Sequence, residues 1–284
     1  QQAASVGEIL LNDPAVRVAR GFGNYQQVYL VRGLPVYSDD ITYNGLYGLL
    51  PRQYLASEFI ERVQVFRGAN TFLKGAAPGG SGLGGAVNIV PKRAPNRALN
   101  QVTLGVDFRE EDFRVSADLG FQKHRIDGGQ PNITFLPGVP ITDAPDADES
   151  IGQPWTYSDS NDVFGTLRAE YDFADNITGW AAVGARRGEE NSSFANPDVA
   201  NAEGDYTAGR FDTAREDTVI TGETGVRFAF DTGNIGHKVS VSGSTYELES
   251  DNAYGLSFGG VAGNLYDPVT VPRPANTFFG GDLD

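Results

Sequence analysis

Residues 79–93 read GGSGLGGAVNIVPKR, and within them Gly80, Gly82 and Gly85 have G-x-G-x-x-G spacing, the pattern that cradles phosphate in dinucleotide-binding folds. In those folds the glycines follow a strand and open a helix whose first amides meet the phosphate. Here the stretch after the glycines, 86–90, is short, rich in β-branched residues and stopped by Pro91, which predicts a strand. The stretch before them, NTFLKGAAPGG, is a turn-rich loop. The context argues against a nucleotide site and leaves the glycines to be explained otherwise.

Composition narrows the function classes. The net charge of −15 argues against nucleic acid, because neutralising phosphates takes clustered Lys and Arg. The chain has no cysteine, so a disulfide framework, a thiolate metal site and a catalytic thiol are all unavailable. It opens on QQAASVGEIL, without an initiator Met or a signal peptide. Nothing approaches the roughly 20 apolar residues of a spanning helix, so contact with a membrane would take a barrel. Two regions differ in texture: 1–95 mixes short strands with turns, and 96–284 repeats alternating segments between long polar loops, with PKRAPN at 91–96 as the linker.

The second region alternates with a period of two. Val102, Leu104, Val106 and Phe108 face away from Thr103, Gly105, Asp107 and Arg109, and Phe113, Val115, Ala117, Leu119 and Phe121 away from Arg114, Ser116, Asp118 and Gln122. Segments 163–173, 177–187, 220–230 and 238–242 repeat the pattern, which predicts six strands. At about 9 to 13 residues they are long enough to cross a bilayer at a barrel's tilt. Tight turns at 174–176 and 231–235 alternate with long loops at 122–161, 188–215 and from 249 onward, the asymmetry of outer-membrane barrels. Phe121, Phe173, Phe230 and Tyr246 stand near strand ends, where an interfacial girdle would lie.

The first region carries an ordered set of motifs: YLVRG (29–33), YNGL (43–46), IERVQVFRG (60–68) and the glycine-rich loop leading into GGAVNIVPKR. In order and spacing, over some 90 residues, the chain resembles the plug domain of TonB-dependent outer-membrane receptors of the ferric-siderophore, ferrichrome-type branch. The resemblance implies an α+β plug inside an antiparallel transmembrane β-barrel, of about 22 strands in plugged transporters, of which 96–284 would be a part. It also implies import of a ferric-siderophore, with no enzymatic step on the cargo. The expected partners are the siderophore, the inner-membrane TonB complex and outer-membrane lipid of a Gram-negative cell. Iron would be held by the siderophore, with no protein cofactor or metal site. The glycines then serve a tight plug turn.

Positional match places three apex segments here: Arg20 and Gly21; Tyr37 and Ser38; and Arg52, Gln53 and Tyr54, with Tyr47 nearby. Guanidinium donors and hydrogen-bonding rings suit an oxygen-rich chelate. Glu61, Arg62 and Arg67 in IERVQVFRG match plug charges that pair with acidic barrel-wall groups. His124 and His237 are isolated, and DAPDADES (143–150) has carboxylates but not the spacing of a calcium loop. A secreted or surface β-rich binding protein would explain the strands but not the ordered motifs, and a nucleotide-dependent enzyme would explain only the glycines.

Two expectations concern continuity. The family's TonB-contacting segment precedes the plug and is absent from QQAASVGEIL, and six strands are too few to surround a plug, so further barrel is expected beyond Asp284. The switch of apolar residues from even to odd positions between Phe108 and Phe113, with both flanking strands assigned an outward course, predicts an odd number of strands missing between them.

Overall fold

In the computed structural model, all residues are described except 1–4, 21–24, 58–59, 70, 72–74, 81, 93–103, 111, 147–149, 259 and 283–284. The first region opens with α1 (Val6–Leu10), whose N-cap Ser5 accepts from the Glu8 amide at 3.3 Å, satisfying a donor the helix cannot. Strands β1 (Val16–Val18), β2 (Val28–Val31) and β3 (Leu34–Tyr37) form an antiparallel sheet, and a 3-10 turn covers Ser38–Asp40. Then come β4 (Thr42–Tyr43), β5 (Leu46–Tyr47), β6 (Ile60–Arg67) and β7 (Gly85–Pro91) in a second sheet, ordered β5-β4-β7-β6 with only β4 and β7 parallel. Val6, Leu10, Val16, Tyr29, Val31, Leu49, Val87 and Ile89 form one buried core, which Phe164 and Ala182 of the second region complete.

The glycine-rich loop ends in a strand, as its sequence predicts. A Cβ on Gly84 would lie 2.4 Å from the Val31 carbonyl oxygen, and one on Gly85 2.3 Å from that of Phe66. The glycines let β7 enter between β2 and β6, and the Gly79 amide donates to the buried Asp40 carboxylate at 2.6 Å. An acidic partner is the opposite of what a phosphate site needs.

The second region contributes β8 (Leu104–Arg109), β9 (Phe113–Asp127), β10 (Thr134–Phe135), β11 (Tyr157–Ala174), β12 (Ile177–Phe194), β13 (Pro197–Val199), β14 (Asp205–Ala208), β15 (Phe211–Thr232), β16 (Ile235–Leu256), β17 (Val261–Asn264) and β18 (Phe278–Asp282). Seven of these make an antiparallel wall in the order β18-β16-β15-β12-β11-β9-β8, one strand more than the alternation predicts. Its strands are also longer, up to 22 residues. The apolar outward positions cover 113–121, 163–173, 177–185 and 220–230, a band of bilayer height. Beyond it the outward face is polar too, so hydrophobic periodicity fades while the hydrogen-bond ladder continues.

Two expectations are corrected. Strands β8 and β9 pair as an ordinary hairpin, Phe108 opposite Val115 and Arg109 opposite Arg114. In that register even positions oppose odd ones, and opposed residues share a face, so the apolar switch is what the hairpin requires. The outward course assigned to β8 fails because β9 runs toward the long connections and β8 is antiparallel to it. Tyr246 is no girdle residue: it opposes Thr221 on the inner face and lies against Gly48 of the first region. Phe121, Phe173 and Phe230 do point outward and are at least half exposed.

The long connections fold together. Strands β10, β13, β14 and β17 form a small sheet over Ile151, Val199, Tyr206, Ala208, Val261 and Leu265. The stretch 269–276 straps the wall's outer face, where Asp212 accepts from Ser193 at 2.6 Å, from Asn276 at 2.9 Å and from Arg210 and Arg273.

Candidate functional site

Short turns lie at one end of the wall and the long connections at the other, and the predicted apex segments approach the latter. Arg20 is half-buried, with its guanidinium 5.6 Å from the Tyr25 ring centre, a cation–π contact. Tyr25 continues into the wall, 4.7 Å from Phe194 and 5.9 Å from Phe211, and Phe211 lies 6.2 Å from Tyr254. Burial pushes the Tyr25 hydroxyl up to about 12, so it stays a neutral donor. Gly21 lies outside the described residues. Tyr37 is half-buried, and Ser38 is buried with an Oγ that has no hydrogen-bond partner among the described residues.

The other predicted residues are occupied by the wall. Arg52 donates from Nε to Asp39 at 2.9 Å, from Nη1 to Glu190 of β12 at 3.1 Å and from Nη2 to Gln26 at 2.8 Å. Burial opposes its charge, but Glu190, Asp39 and Asp217 outweigh burial and hold the group above its ordinary value. Gln53 is buried, donates to Ser192 at 3.3 Å and accepts from Ser158 at 2.6 Å. Tyr54 stacks on His124 at 3.9 Å. Tyr47 sits deeper, near Asp40 and Glu223, with burial raising its hydroxyl pKa. Arg67 closes on Asp13 within its own domain at 2.8 Å, and Glu61 and Arg62 are exposed with no ion pair among the described residues. The charge that meets an acidic wall group here is Arg52.

The sequence offered no pointer to the strongest contact. Arg186 on β12 is buried and donates from Nε to the Gly48 carbonyl at 2.9 Å, from Nη1 to Asp162 of β11 at 2.9 Å and from Nη2 to Asp217 of β15 at 3.0 Å. Gly188 stands opposite both aspartates, and a Cβ there would lie 2.6 Å from Asp162 and 2.7 Å from Arg186. The missing side chain makes the room. Such a triad fixes position, since breaking a buried pair costs about 3–5 kcal/mol. The only available signal was three charged residues of matching inward parity.

The first region therefore sits against the polar inner face of a lipid-banded wall, and residues 1–81 match the TonB-dependent Receptor Plug Domain family. Across 99% of its length the chain is 32% identical to the ferrichrome receptor FcuA of Yersinia enterocolitica, over 44% of that protein. The chain belongs to the TonB-dependent receptors. Its wall is an outer-membrane wall, and its first region is the plug. The 333 aligned positions exceed the chain's 284 residues, so within the aligned span FcuA carries stretches with no counterpart in this chain. In structure the receptor is similar to the ferric preacinetobactin receptor BauA from Acinetobacter baumannii, with a TM-score of 0.83 and 22% identity over 97% of this chain and 50% of BauA. It is also similar to the siderophore receptor PiuA from Acinetobacter baumannii, with a TM-score of 0.73 and 14% identity over 98% of this chain and 50% of PiuA. The chain spans about half the length of these relatives.

Proposed function

We propose that this receptor imports a ferric-siderophore across the outer membrane, energised through TonB. The observation that supports it best is Arg20 over Tyr25, joined to Phe194 and Phe211 of the wall at the end where the long connections lie. A cation and neutral rings there suit a chelate with oxygen acceptors and apolar flanks. The metal would enter and leave inside its chelate, as cargo. The names of FcuA and BauA, each a receptor for an iron chelate, agree with this assignment. A surface binding protein would have no use for a plug bonded to a lipid-banded wall. Equilibrium binding of purified receptor to a panel of ferric and iron-free siderophores tests it: one ferric chelate should bind far more tightly than the rest, and uniform absence of binding would reject it.

A further inference from the structure

Besides the Tyr25 ring, the plug meets this wall along residues 43–56, and the attachments of that segment differ in kind from end to end. At Gly48 the hold is the buried Arg186–Asp162–Asp217 triad, which donates to the Gly48 carbonyl, with the Tyr246 ring against the same residue. At residues 54–56 the hold is neutral. Gln122 of β9 donates from Nε2 to the Tyr54 carbonyl at 2.5 Å and accepts from the Ala56 amide at 3.1 Å. Between them Leu55 turns to the other side, where its carbonyl accepts from the Val6 amide at 3.0 Å, and Ser5 bridges to Ala56. One extended stretch is thus bonded to the wall along one edge and to Ser5 and Val6 along the other.

Neutral hydrogen bonds exchange for water bonds at small net cost, whereas the bond from the buried Arg186 guanidinium to the Gly48 carbonyl is charge-assisted and about twice as strong. A displacement of residues 5–6 acts first on 55–56, whose wall bonds are of the cheap kind. We infer that Gln122 is a releasable latch and the Arg186–Gly48 contact a fixed pivot, so that the plug swings away from β9 while remaining seated on β12 and β15. Gln122 is then a positioning residue for transport. This rests on the transport function proposed above.

The chain's lack of cysteine allows a direct test with two disulfide pairs placed within it. Ala56→Cys with Gln122→Cys ties the latch, and Leu49→Cys with Gly184→Cys ties the pivot, where Leu49 already packs against Gly184. The latch cross-link should leave chelate binding unchanged and reduce uptake at least tenfold, with recovery on reduction; the pivot cross-link should leave uptake within twofold. Uptake unaffected by the latch cross-link, or abolished by both, overturns the inference. A second measurement does not need transport: when membrane-reconstituted receptor is pulled from residue 5, Gln122→Ala should lower the first rupture force and Arg186→Lys should not. The reverse order overturns the pivot even if no chelate is ever imported, which separates this failure from that of the transport function.

Discussion

Arg186 of the wall donates its Nε to the carbonyl of Gly48 in the plug at 2.9 Å, and its two remaining nitrogens each meet an aspartate on a flanking strand. Arg186→Ala strands the buried Asp162 carboxylate, leaves Asp217 with Arg215 as its remaining cation, and should cost about 3–5 kcal/mol, read as a fall in the thermal midpoint of detergent-solubilised receptor. Gly188→Ala, which adds a methyl where none fits, should weaken the same contact although it removes no bonding group. If the triple variant Asp162→Asn, Arg186→Met, Asp217→Asn is no more stable than Arg186→Ala, the loss does not come from uncompensated charge.

Within the glycine loop, position decides tolerance. Gly84→Ala drives a methyl into the Val31 carbonyl and should cost more than about 4 kcal/mol, the range of severe core defects. Gly80 has open space but a φ of +81, so Gly80→Ala should cost only the left-handed strain of about 1–2 kcal/mol. Limited proteolysis of the plug ranks the two, and equal sensitivity would show that the loop is not set by close approach.

Two arginines expected to act alike should separate. Arg52 spends its donors on Asp39, Glu190 and Gln26, so Arg52→Ala should loosen the plug. Arg20 contacts the Tyr25 face, so Arg20→Ala should weaken chelate binding about tenfold with an unchanged thermal midpoint. Affinity and midpoint measured on both variants decide the matter.

The connections should open as one unit. Asp212 ties the strap to the wall, and Trp155 donates to the Val271 carbonyl at 3.1 Å across two connections. Asp212→Ala should expose 128–156, 195–210 and 257–277 to protease together; cleavage confined to the last would show them to be independent.

What the sequence revealed follows from which faces meet lipid. Phe113 to Phe121 alternate because a bilayer demands one apolar side, so the wall was legible there. Residues 188–194 extend β12 where both faces meet water or loops, and no periodicity marks them. Arg52 and Gln53 were legible as polar residues of an apex segment, but a side chain's partner depends on wall register, which put Glu190, Ser158 and Ser192 opposite them. Asp162, Arg186 and Asp217 lie far apart in sequence and become one cluster only through the β11–β12–β15 pairing.

Energised uptake tests the central claim most directly. Iron-starved cells whose only outer-membrane receptor of this class is the whole protein containing this chain would be given radioiron bound to the chelate that binds best. The account predicts saturable accumulation that disappears when TonB is deleted and falls with Arg20→Ala. Accumulation that persists without TonB, or none despite tight binding, would contradict it.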